Sequence, residues 1–417
     1  MKDKEKVIVL GGGFAGLQFI KNLNPRKYRV LLIDKVNHHQ FQPLFYQVAA
    51  AQIEPSSISF PFRKIFQGKK NVKVRMEEVI RVDAEKQHVF TNKNSYPYDH
   101  LILAMGCTTN FFGLEQFAKK AYTLKSTAEA IHIRNSFIQN FENMVSNSIN
   151  TPEEHYNIVI VGAGPTGVEL AGAFAEMKKN ILSKDYPDLQ TAKIKIIIIE
   201  GKEFPLSNMS TTTQKTALRY LQKLGVKLYF NALVKEYNNH TITLQDGREI
   251  KSSYVIWTGG IKANHIEGLT NAFIEKSGRV TVNRNHEVMG HNNIYAIGDM
   301  ALMKTPKYPN GHPQVANVAI NQGKNLAQIF NTSKSKEFIY RDLGSLATIG
   351  KFKAVADLPW LKMKGFFAWL FWMFLHLMLI LSVKNKLIIF INWMWNFFTN
   401  DSSLRLILSA EKNKNYH

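Results

Sequence analysis

The stretch that decides the fold lies near the start of the chain, where Val7–Gly16 reads VIVLGGGFAG. Four apolar residues form a run typical of a buried strand, and the pattern Gly-x-Gly-x-x-Gly follows before a helical segment. Such glycines allow a tight turn, and the free N–H groups at the helix start attract a pyrophosphate. A second apolar run, Arg29–Ile33, ends at Asp34, whose carboxylate can bond ribose hydroxyls. This order predicts a dinucleotide-binding unit.

The same pattern recurs in the middle of the chain, where Ile158–Gly167 reads IVIVGAGPTG. An alanine-rich helical stretch follows, and a second strand, Ile194–Ile199, ends at Glu200. A carboxylate at that point favours the free 2′-hydroxyl of NADH and repels the 2′-phosphate of NADPH. One such motif also occurs in ordinary tight loops, but two copies with strands before and acids after are stronger evidence. The sequence therefore predicts an α/β fold with two Rossmann-like dinucleotide-binding domains.

Composition limits the partners of the protein. The chain has 417 residues, enough for two domains and an appendage, and 53 basic against 32 acidic side chains give a net charge of +21. Because no nucleic-acid-binding motif is present, we expect no nucleic acid and assign part of this charge to an anionic membrane surface. The single cysteine, Cys107, excludes an intramolecular disulfide and a Cys/His zinc cluster, so no metal site is expected. The first residues lack a secretory h-region, which favours a cytoplasmic location.

The C-terminal part is rich in tryptophan and other apolar residues. Five of the six tryptophans follow residue 359, and lysines flank the 19-residue run Gly365–Val383, which a second apolar run, Leu387–Phe398, follows. By its length the first run could span a bilayer as a single helix. Alternatively, the two runs form a helical hairpin that lies in the membrane interface, with basic side chains near lipid phosphates. A homodimer interface is a further explanation, and it is compatible with membrane contact.

Several further stretches are specific to one family. They are HQFQPLFYQVA (His39–Ala49), GPTGVELAG (Gly164–Gly172), VIWTGG (Val255–Gly260) and ATIGK (Ala347–Lys351). A further stretch, NIYAIGD (Asn293–Asp299), resembles a broader flavoprotein motif whose aspartate contacts the ribityl and phosphate region of FAD. With the two glycine turns, these stretches make the chain resemble type II NADH:quinone oxidoreductases, which are single-subunit NADH dehydrogenases that do not pump protons. The resemblance implies non-covalent FAD, NADH as substrate and a membrane quinone as acceptor. It also favours a monotopic anchor, at the cytoplasmic face of the cell membrane.

The resemblance also implies which residues hold the cofactor and the substrate. FAD is expected at Gly11, Gly12, Gly13, Phe14, Ala15, Gly16, Asp34, Lys35, Val79, Asp299, Ala316 and Asn317. NADH is expected at Gly162, Gly164, Gly167, Glu200 and Gly260. For Val79 and Ala316, packing in the core is the alternative explanation.

The quinone side departs from the family pattern. Related enzymes commonly carry Ala-Gln-x-x-x-Gln beside the flavin, whereas this chain has asparagine at both positions, Asn317 and Asn321. Asparagine keeps the amide donor and acceptor but is one methylene shorter, so these residues are expected to contact the quinone only if the pocket or the quinone shifts. The choice between menaquinone and ubiquinone stays open. For Asn317, capping of a helix or a bond to the flavin is the alternative.

Glu169 is the candidate for the chemistry. In the resembling family, this glutamate lies near the nicotinamide, flavin and quinone and is proposed to relay protons during quinone reduction. The spacing Thr166-x-x-Glu169 also fits a capping box, in which the carboxylate would stabilise the first turn of a helix. Both roles can coexist.

We expect four segments along the chain. Residues 1–112 and 281–340 would form the FAD-binding domain, 113–280 the inserted NADH-binding domain, and 341–417 the C-terminal membrane-association region. The predicted activity is oxidation of NADH by FAD with electron transfer to a quinone. The alternatives are a reductase of a soluble acceptor, such as a ferredoxin or rubredoxin, and a membrane-docked flavoprotein that senses NADH.

Overall fold

The chain divides into two compact units. The computed structural model describes residues 4–146, 151–269, 273–402 and 404–407; residues 408–417, at the end of the predicted membrane-association region, lie outside the described residues. Unit 1 comprises Met1–Gln40, Ser59–Thr108 and Ile261–Asp342, and unit 2 comprises Phe41–Ile58, Thr109–Gly260 and Leu343–His417. Each unit contains one of the two glycine turns. The C-terminal part thus groups with the segment that carries the second turn.

Unit 1 is built on a five-stranded parallel sheet. Its strands are β1 (Glu5–Leu10), β2 (Tyr28–Asp34), β3 (His38–Gln40), β4 (Ser59–Pro61), β5 (Val72–Met76), β6 (Val79–Asp83), β7 (His88–Thr91), β8 (Ser95–Pro97), β9 (His100–Leu103), β10 (Cys107–Thr109, at the unit boundary), β19 (Ile261–Ala263), β20 (Val280–Thr281), β21 (Ile294–Ala296) and β22 (Ala301–Leu302). Its helices are α1 (Phe14–Asn22), α3 (Phe62–Ile65) and α9 (Ala316–Thr332). The main sheet has the order β21-β9-β1-β2-β5.

The glycine turn of unit 1 lies where the sheet order reverses around its central strand. Strand β1 pairs in parallel with both β2 and β9, and Val7–Leu10 are buried. Helix α1 packs closely on α9, since a Cβ on Gly323 would lie 2.4 Å from the Ala15 carbonyl oxygen. Ligands of open parallel sheets bind at the carboxyl ends of the strands beside such a reversal, so the turn is well placed for a dinucleotide.

Unit 2 repeats this plan and adds a helical hairpin. Its helices are α2 (Phe45–Ala49), α4 (Glu115–Lys120), α5 (Thr127–Ser146), α6 (Pro165–Met177), α7 (Ser183–Asp185), α8 (Thr211–Lys223), α10 (Phe366–Leu379) and α11 (Val383–Thr399), and a π-helical segment covers Lys178–Leu182. Its strands are β11 (Tyr122–Thr123), β12 (Asn157–Val161), β13 (Lys195–Ile199), β14 (Lys227–Tyr229), β15 (Val234–Asn238), β16 (Thr241–Leu244), β17 (Glu249–Lys251), β18 (Tyr254–Trp257), β23 (Ser345–Gly350), β24 (Lys353–Asp357) and β25 (Lys362–Lys364). The parallel sheet has the order β11-β18-β12-β13-β14.

Helix α6 lies against the antiparallel sheet β23-β24-β25. The approach depends on Gly172, because a Cβ at this position would lie 2.1 Å from the carbonyl oxygen of Ile349 in β23. A larger residue would push the helix off the strand. The sheet and helix therefore hold Glu169 and Thr348 at a defined separation.

The apolar C-terminal runs form two helices rather than one. Helix α10 has 14 residues and ends at Leu379, where the chain becomes extended at Ile380 before α11 begins. Within the described part of the chain, no helix is both long and apolar enough to cross a membrane. The alternative of one long helix over residues 365–383 does not form, because α10 ends at Leu379, before the apolar run ends.

Candidate functional site

The first glycine turn forms one side of a cavity in unit 1. Gly11 has φ +97°, and a Cβ there would lie 2.4 Å from the Ala104 carbonyl oxygen, so only glycine fits. In contrast, a Cβ added to Gly13 would meet no atom within 4 Å. The outer side of the turn is thus open to a phosphate, which the N–H groups at the start of α1 can bind.

The acid predicted to bind ribose lies in the same cavity. Oδ2 of Asp34 accepts the Gly12 N–H at 2.7 Å, and Oδ1 accepts the Val36 N–H at 2.9 Å. Burial raises the pKa of Asp34, and these two N–H groups oppose that shift. The cavity measures about 160 Å³ and is lined by Gly11, Ile33, Asp34, Lys35, Glu77, Glu78, Val79, Met105, Asn264 and His265. The open turn and the acid beside it fit the adenosine diphosphate end of FAD.

The other residues expected at FAD also lie in unit 1. Phe14, Ala15 and Gly16 form the first turn of α1. Asp299 follows β21, and its Oδ2 accepts a hydrogen bond from Sγ of Cys107 at 3.0 Å. Ala316 is the first residue of α9. Val79 lines the cavity, and Asp299 and Ala316 lie outside its lining.

Asn317 and Asn321 bond to each other and to the backbone. The Asn321 amide donates to Oδ1 of Asn317 at 2.7 Å and to its carbonyl oxygen at 2.9 Å, one turn along α9. The Asn317 amide donates to the Arg341 carbonyl oxygen at 3.2 Å. Since Val315 is the N-cap residue, Asn317 does not cap the helix. The two amides thus have protein partners within unit 1.

Sequence reasoning missed a buried histidine behind the first turn. His39 is 1 % exposed, and its Nδ1 lies 2.9 Å from the Gly12 carbonyl oxygen, which makes this nitrogen the donor. Burial lowers the pKa of His39 to about 4, so the ring is neutral at physiological pH. The histidine therefore holds the turn from behind. His39 is the first residue of the stretch His39–Ala49, but residue spacing does not predict its hydrogen bond to Gly12.

The second glycine turn, in unit 2, reproduces the geometry of the first. Oε2 of Glu200 accepts the Ala163 N–H at 2.6 Å, as Asp34 accepts that of Gly12 in unit 1. A Cβ on Gly162 would lie 2.7 Å from the Cα of Gly259, and one on Gly167 would lie 2.0 Å from the Gly162 carbonyl oxygen. Gly164 is open on its outer side. The predicted NADH residues, with Gly260 next to Gly259, thus surround one turn.

Glu169 lies in a cavity lined by elements that are far apart in sequence. The cavity measures about 70 Å³, and its lining residues are Tyr46, Gln47, Gln52, Glu169, Ala173, Glu176, Thr348, Gly350, Lys351, Trp369, Trp372, Met373, Trp393, Asn396 and Phe397. Glu169 is 9 % exposed, and its Oε1 accepts the Thr348 N–H at 3.4 Å. The cavity has room for several water molecules or part of a planar ring.

The capping box predicted for this region is wrong. Helix α6 begins at Pro165, its N-cap residue is Gly164, and no side chain caps it. Thr166 is therefore the second residue of the helix, and Glu169 is bonded across to β23 instead. The Glu169 carboxyl therefore bonds to the backbone of β23 and not to the N–H groups at the start of α6.

Burial keeps the carboxyl of Glu169 protonated. It raises the pKa of Glu169 to about 8, against the opposing effect of the Thr348 N–H and, less strongly, the Trp372 indole. Among the described residues, the buried Trp372 Nε1 has no hydrogen-bond partner. The cavity thus offers one neutral acid and one N–H donor to a bound molecule.

A chain of hydrogen bonds links the hairpin to this cavity. The Trp393 Nε1–H donates to Oε1 of Gln47 at 2.9 Å, and the Gln47 amide donates to the Tyr46 hydroxyl at 3.0 Å. Burial raises the pKa of Tyr46 well above 10, and the charge that Glu169 carries once it ionises at high pH adds to this, so the hydroxyl keeps its proton. Sequence reasoning missed Tyr46, Gln47 and Trp372 as site residues, although Tyr46 and Gln47 lie within His39–Ala49, a stretch that resembles the family.

Two known protein families match the chain. The family described as pyridine nucleotide-disulphide oxidoreductase matches residues 5–323, and the NDH2 C-terminal domain matches residues 343–400. A type II NADH:quinone oxidoreductase of Mycobacterium tuberculosis is 31 % identical, over 95 % of this chain and 89 % of its own. An external NADH-ubiquinone oxidoreductase of Saccharomyces cerevisiae is 29 % identical, over 96 % of this chain and 82 % of its own.

Solved structures show the same fold. The structure of NDH2 from Plasmodium falciparum in complex with NADH has a TM-score of 0.89 at 23 % identity and covers 98 % of this chain and 100 % of that one. A sulfide:quinone oxidoreductase from Aquifex aeolicus has a TM-score of 0.74 at 16 % identity and covers 95 % of this chain and 96 % of that one. The chain therefore belongs to the pyridine nucleotide-disulphide oxidoreductases and, within them, to the type II NADH:quinone oxidoreductases, FAD-containing enzymes that oxidise NADH and reduce a quinone.

Proposed function

We propose that the cavity around Glu169 binds the quinone head group and that Glu169 supplies it with a proton. The observation that carries the proposal is a carboxyl kept neutral by burial in an aromatic cavity, since its pKa is raised to about 8. Quinone reduction consumes protons, and an acid with a pKa near the working pH is suited to transfer them. Trp372 and Tyr46 offer further hydrogen-bond donors for the quinone oxygens.

The dinucleotides are proposed to occupy the two glycine turns. FAD would be held by the turn of unit 1, with Asp34 at the ribose, and NADH by the turn of unit 2, with Glu200 at its ribose. FAD, when bound, passes the two electrons of the NADH hydride on to the quinone. The residues of the chain position the substrates and move protons.

The proposed location of the quinone can be tested by filling the cavity with a larger side chain. Ala173 lines the cavity, so Ala173→Leu should slow reoxidation of the reduced enzyme by a naphthoquinone at least about tenfold, while NADH still bleaches the flavin at the normal rate. Met373→Leu, a volume-conserving change in the same cavity, is the control. Both steps are followed anaerobically by flavin absorbance in stopped flow. Normal reoxidation of Ala173→Leu would refute the location.

We propose that the outer face of the hairpin lies on an anionic membrane surface at the cytoplasmic side. Its apolar side chains are strongly exposed: Phe367 is 71 %, Phe374 62 %, Ile391 62 % and Phe398 75 % exposed. Such a patch is costly in water, and quinones dissolve in the bilayer. The net charge of +21 favours anionic lipid. A homodimer formed through the same face is the alternative.

Changing the exposed side chains tests this without removing helices that pack on the core. Replacing Phe367, Phe374, Ile391 and Phe398 by serine should abolish co-sedimentation with phosphatidylglycerol vesicles, while bleaching of the flavin by NADH persists. Serine at Ile80 and Ile339, which are 49 % and 70 % exposed elsewhere, should leave binding unchanged. Unchanged binding of the quadruple variant would overturn the membrane proposal. Loss of a dimer in sedimentation velocity would instead identify a subunit interface.

A further inference from the structure

We infer that Glu176 is a second proton-carrying residue, which passes protons from a small polar cavity to Glu169. The inference rests on the proposed quinone site. Glu176 is seven residues after Glu169 on α6. Seven residues correspond to almost two full turns, so both side chains project from one face, with Cα atoms about 10 Å apart. Both carboxyls line the same cavity.

Glu176 also lines a second cavity. This one measures about 20 Å³, room for about one water molecule. Its lining includes Asn180, Asn400 and Ser402, which do not line the first cavity. Glu176, Gln52, Lys351 and Asn396 line both cavities. Unlike Glu169, Glu176 is partly exposed, so it is the carboxyl placed to exchange protons with water.

The backbone at Gly350 and Lys351 lies against the Glu176 carboxyl. The Lys351 N–H donates to Oε1 of Glu176 at 2.6 Å. A Cβ on Gly350 would lie 2.5 Å from the same oxygen, so a side chain at this position would displace the carboxyl. The π-helical segment Lys178–Leu182 begins directly after α6, and such segments are frequent at functional sites. The carboxyl is thus held in place rather than free on a helix surface.

Several influences act on the pKa of the Glu176 carboxyl. Burial raises its pKa, while the Lys351 N–H and the charges of Lys353, Lys351 and Lys179 lower it, and burial dominates. Among the described residues, the titratable groups acting on Glu176 from neighbouring elements also include Tyr46, which keeps its proton. A carboxyl of this kind can accept a proton from water and release it again.

The proton balance calls for such a route. NADH delivers a hydride, which is equivalent to two electrons and one proton. The net reaction, NADH + H⁺ + quinone → NAD⁺ + quinol, therefore takes one further proton from solution. Glu169 gives a proton to the quinone oxygen and becomes a carboxylate. Glu176 then returns a proton to Glu169 through water in the first cavity and regains one from water in the second. No other reactant is needed.

Glu176→Gln tests the route. It removes the exchangeable proton but keeps an acceptor for the Lys351 N–H. We expect bleaching of the flavin by NADH to stay within about twofold, and reoxidation by a naphthoquinone to slow about tenfold or more, with the loss growing as the pH rises. Formate, a small weak acid, and the variant Glu176→Asp should each restore part of the rate. Glu115→Gln, an exposed carboxylate on α4, is the control.

Two outcomes would overturn the inference. One is normal reoxidation of Glu176→Gln, and the other is slow reoxidation that neither formate nor Glu176→Asp restores, which would indicate a structural role. Glu169→Gln separates this from failure of the proposed quinone site. If Glu169→Gln is slow and Glu176→Gln is normal, only the route fails; if both are normal, the proposed role of Glu169 fails.

Discussion

The indole N–H of Trp393 donates a 2.9 Å hydrogen bond to Oε1 of Gln47, a residue 346 positions earlier in the chain. Trp393 is 9 % and Gln47 6 % exposed. The second helix of the hairpin is therefore bonded to the wall of the cavity that contains Glu169. A substitution in the hairpin should therefore alter the shape of that cavity.

Replacing Trp393 by Phe should loosen this attachment. The variant leaves the buried oxygen of Gln47 without its donor, which should cost about 1–3 kcal/mol in the free energy of unfolding. We expect a lower thermal unfolding midpoint and a higher KM for quinone at an unchanged KM for NADH. Trp395→Phe, at a position that is 60 % exposed, should change neither quantity. Equal behaviour of the two variants would argue against the role of this bond.

Replacing Glu169 by Gln should separate the two halves of the reaction. The amide keeps an acceptor for the Thr348 N–H but has no acidic proton, so reoxidation by quinone should fall about 10²-fold, while FAD content and bleaching by NADH persist. In the wild type, the quinone step should decline above about pH 8, where Glu169 ionises. Stopped-flow absorbance over a range of pH measures both effects. Wild-type turnover in Glu169→Gln would rule out the assigned role.

The same carboxyl should make stability depend on pH. Its pKa is raised from 4.5 to about 8 in the folded chain, so the folded state binds the proton more tightly than the unfolded state. Stability from this group is therefore complete below about pH 4.5 and is lost as the pH rises to about 8. The total is on the order of 5 kcal/mol. Compared with Glu169→Gln, the wild-type unfolding midpoint should fall more steeply across this window, and parallel curves would contradict the shift.

Replacing Glu200 by Gln should relax the preference for NADH. An amide oxygen can still accept the Ala163 N–H, which Glu200 holds at 2.6 Å, so the turn should persist. Removing the negative charge should lessen repulsion of the 2′-phosphate, and we expect the NADPH/NADH ratio of kcat/KM to rise about tenfold. Steady-state kinetics with each nucleotide gives this ratio. The corresponding change in the first turn, Asp34→Asn, should leave the ratio unaltered but weaken FAD retention.

Local sequence was enough for the two turns but not for the cavity. Gly162 and Glu200 could be assigned because strand, glycines and acid follow one another within one βαβ unit. The spacing of Thr166 and Glu169 pointed to a capping box, which the position of the helix start rules out. No spacing connects Gln47 with Trp393, because the bond between them depends on how the hairpin packs.

The sequence by itself determined the two dinucleotide-binding turns, the family and the apolar character of the C-terminal part. These features depend on residues that are close together in the chain, such as the strand, glycines and acid that follow one another in each turn. Only the tertiary structure decided that the apolar runs form two short helices and that Glu169 shares a cavity with Tyr46, Trp372 and Glu176. The reason is physical: desolvation of a carboxyl depends on everything that surrounds it, and its neighbours here come from three distant parts of the chain.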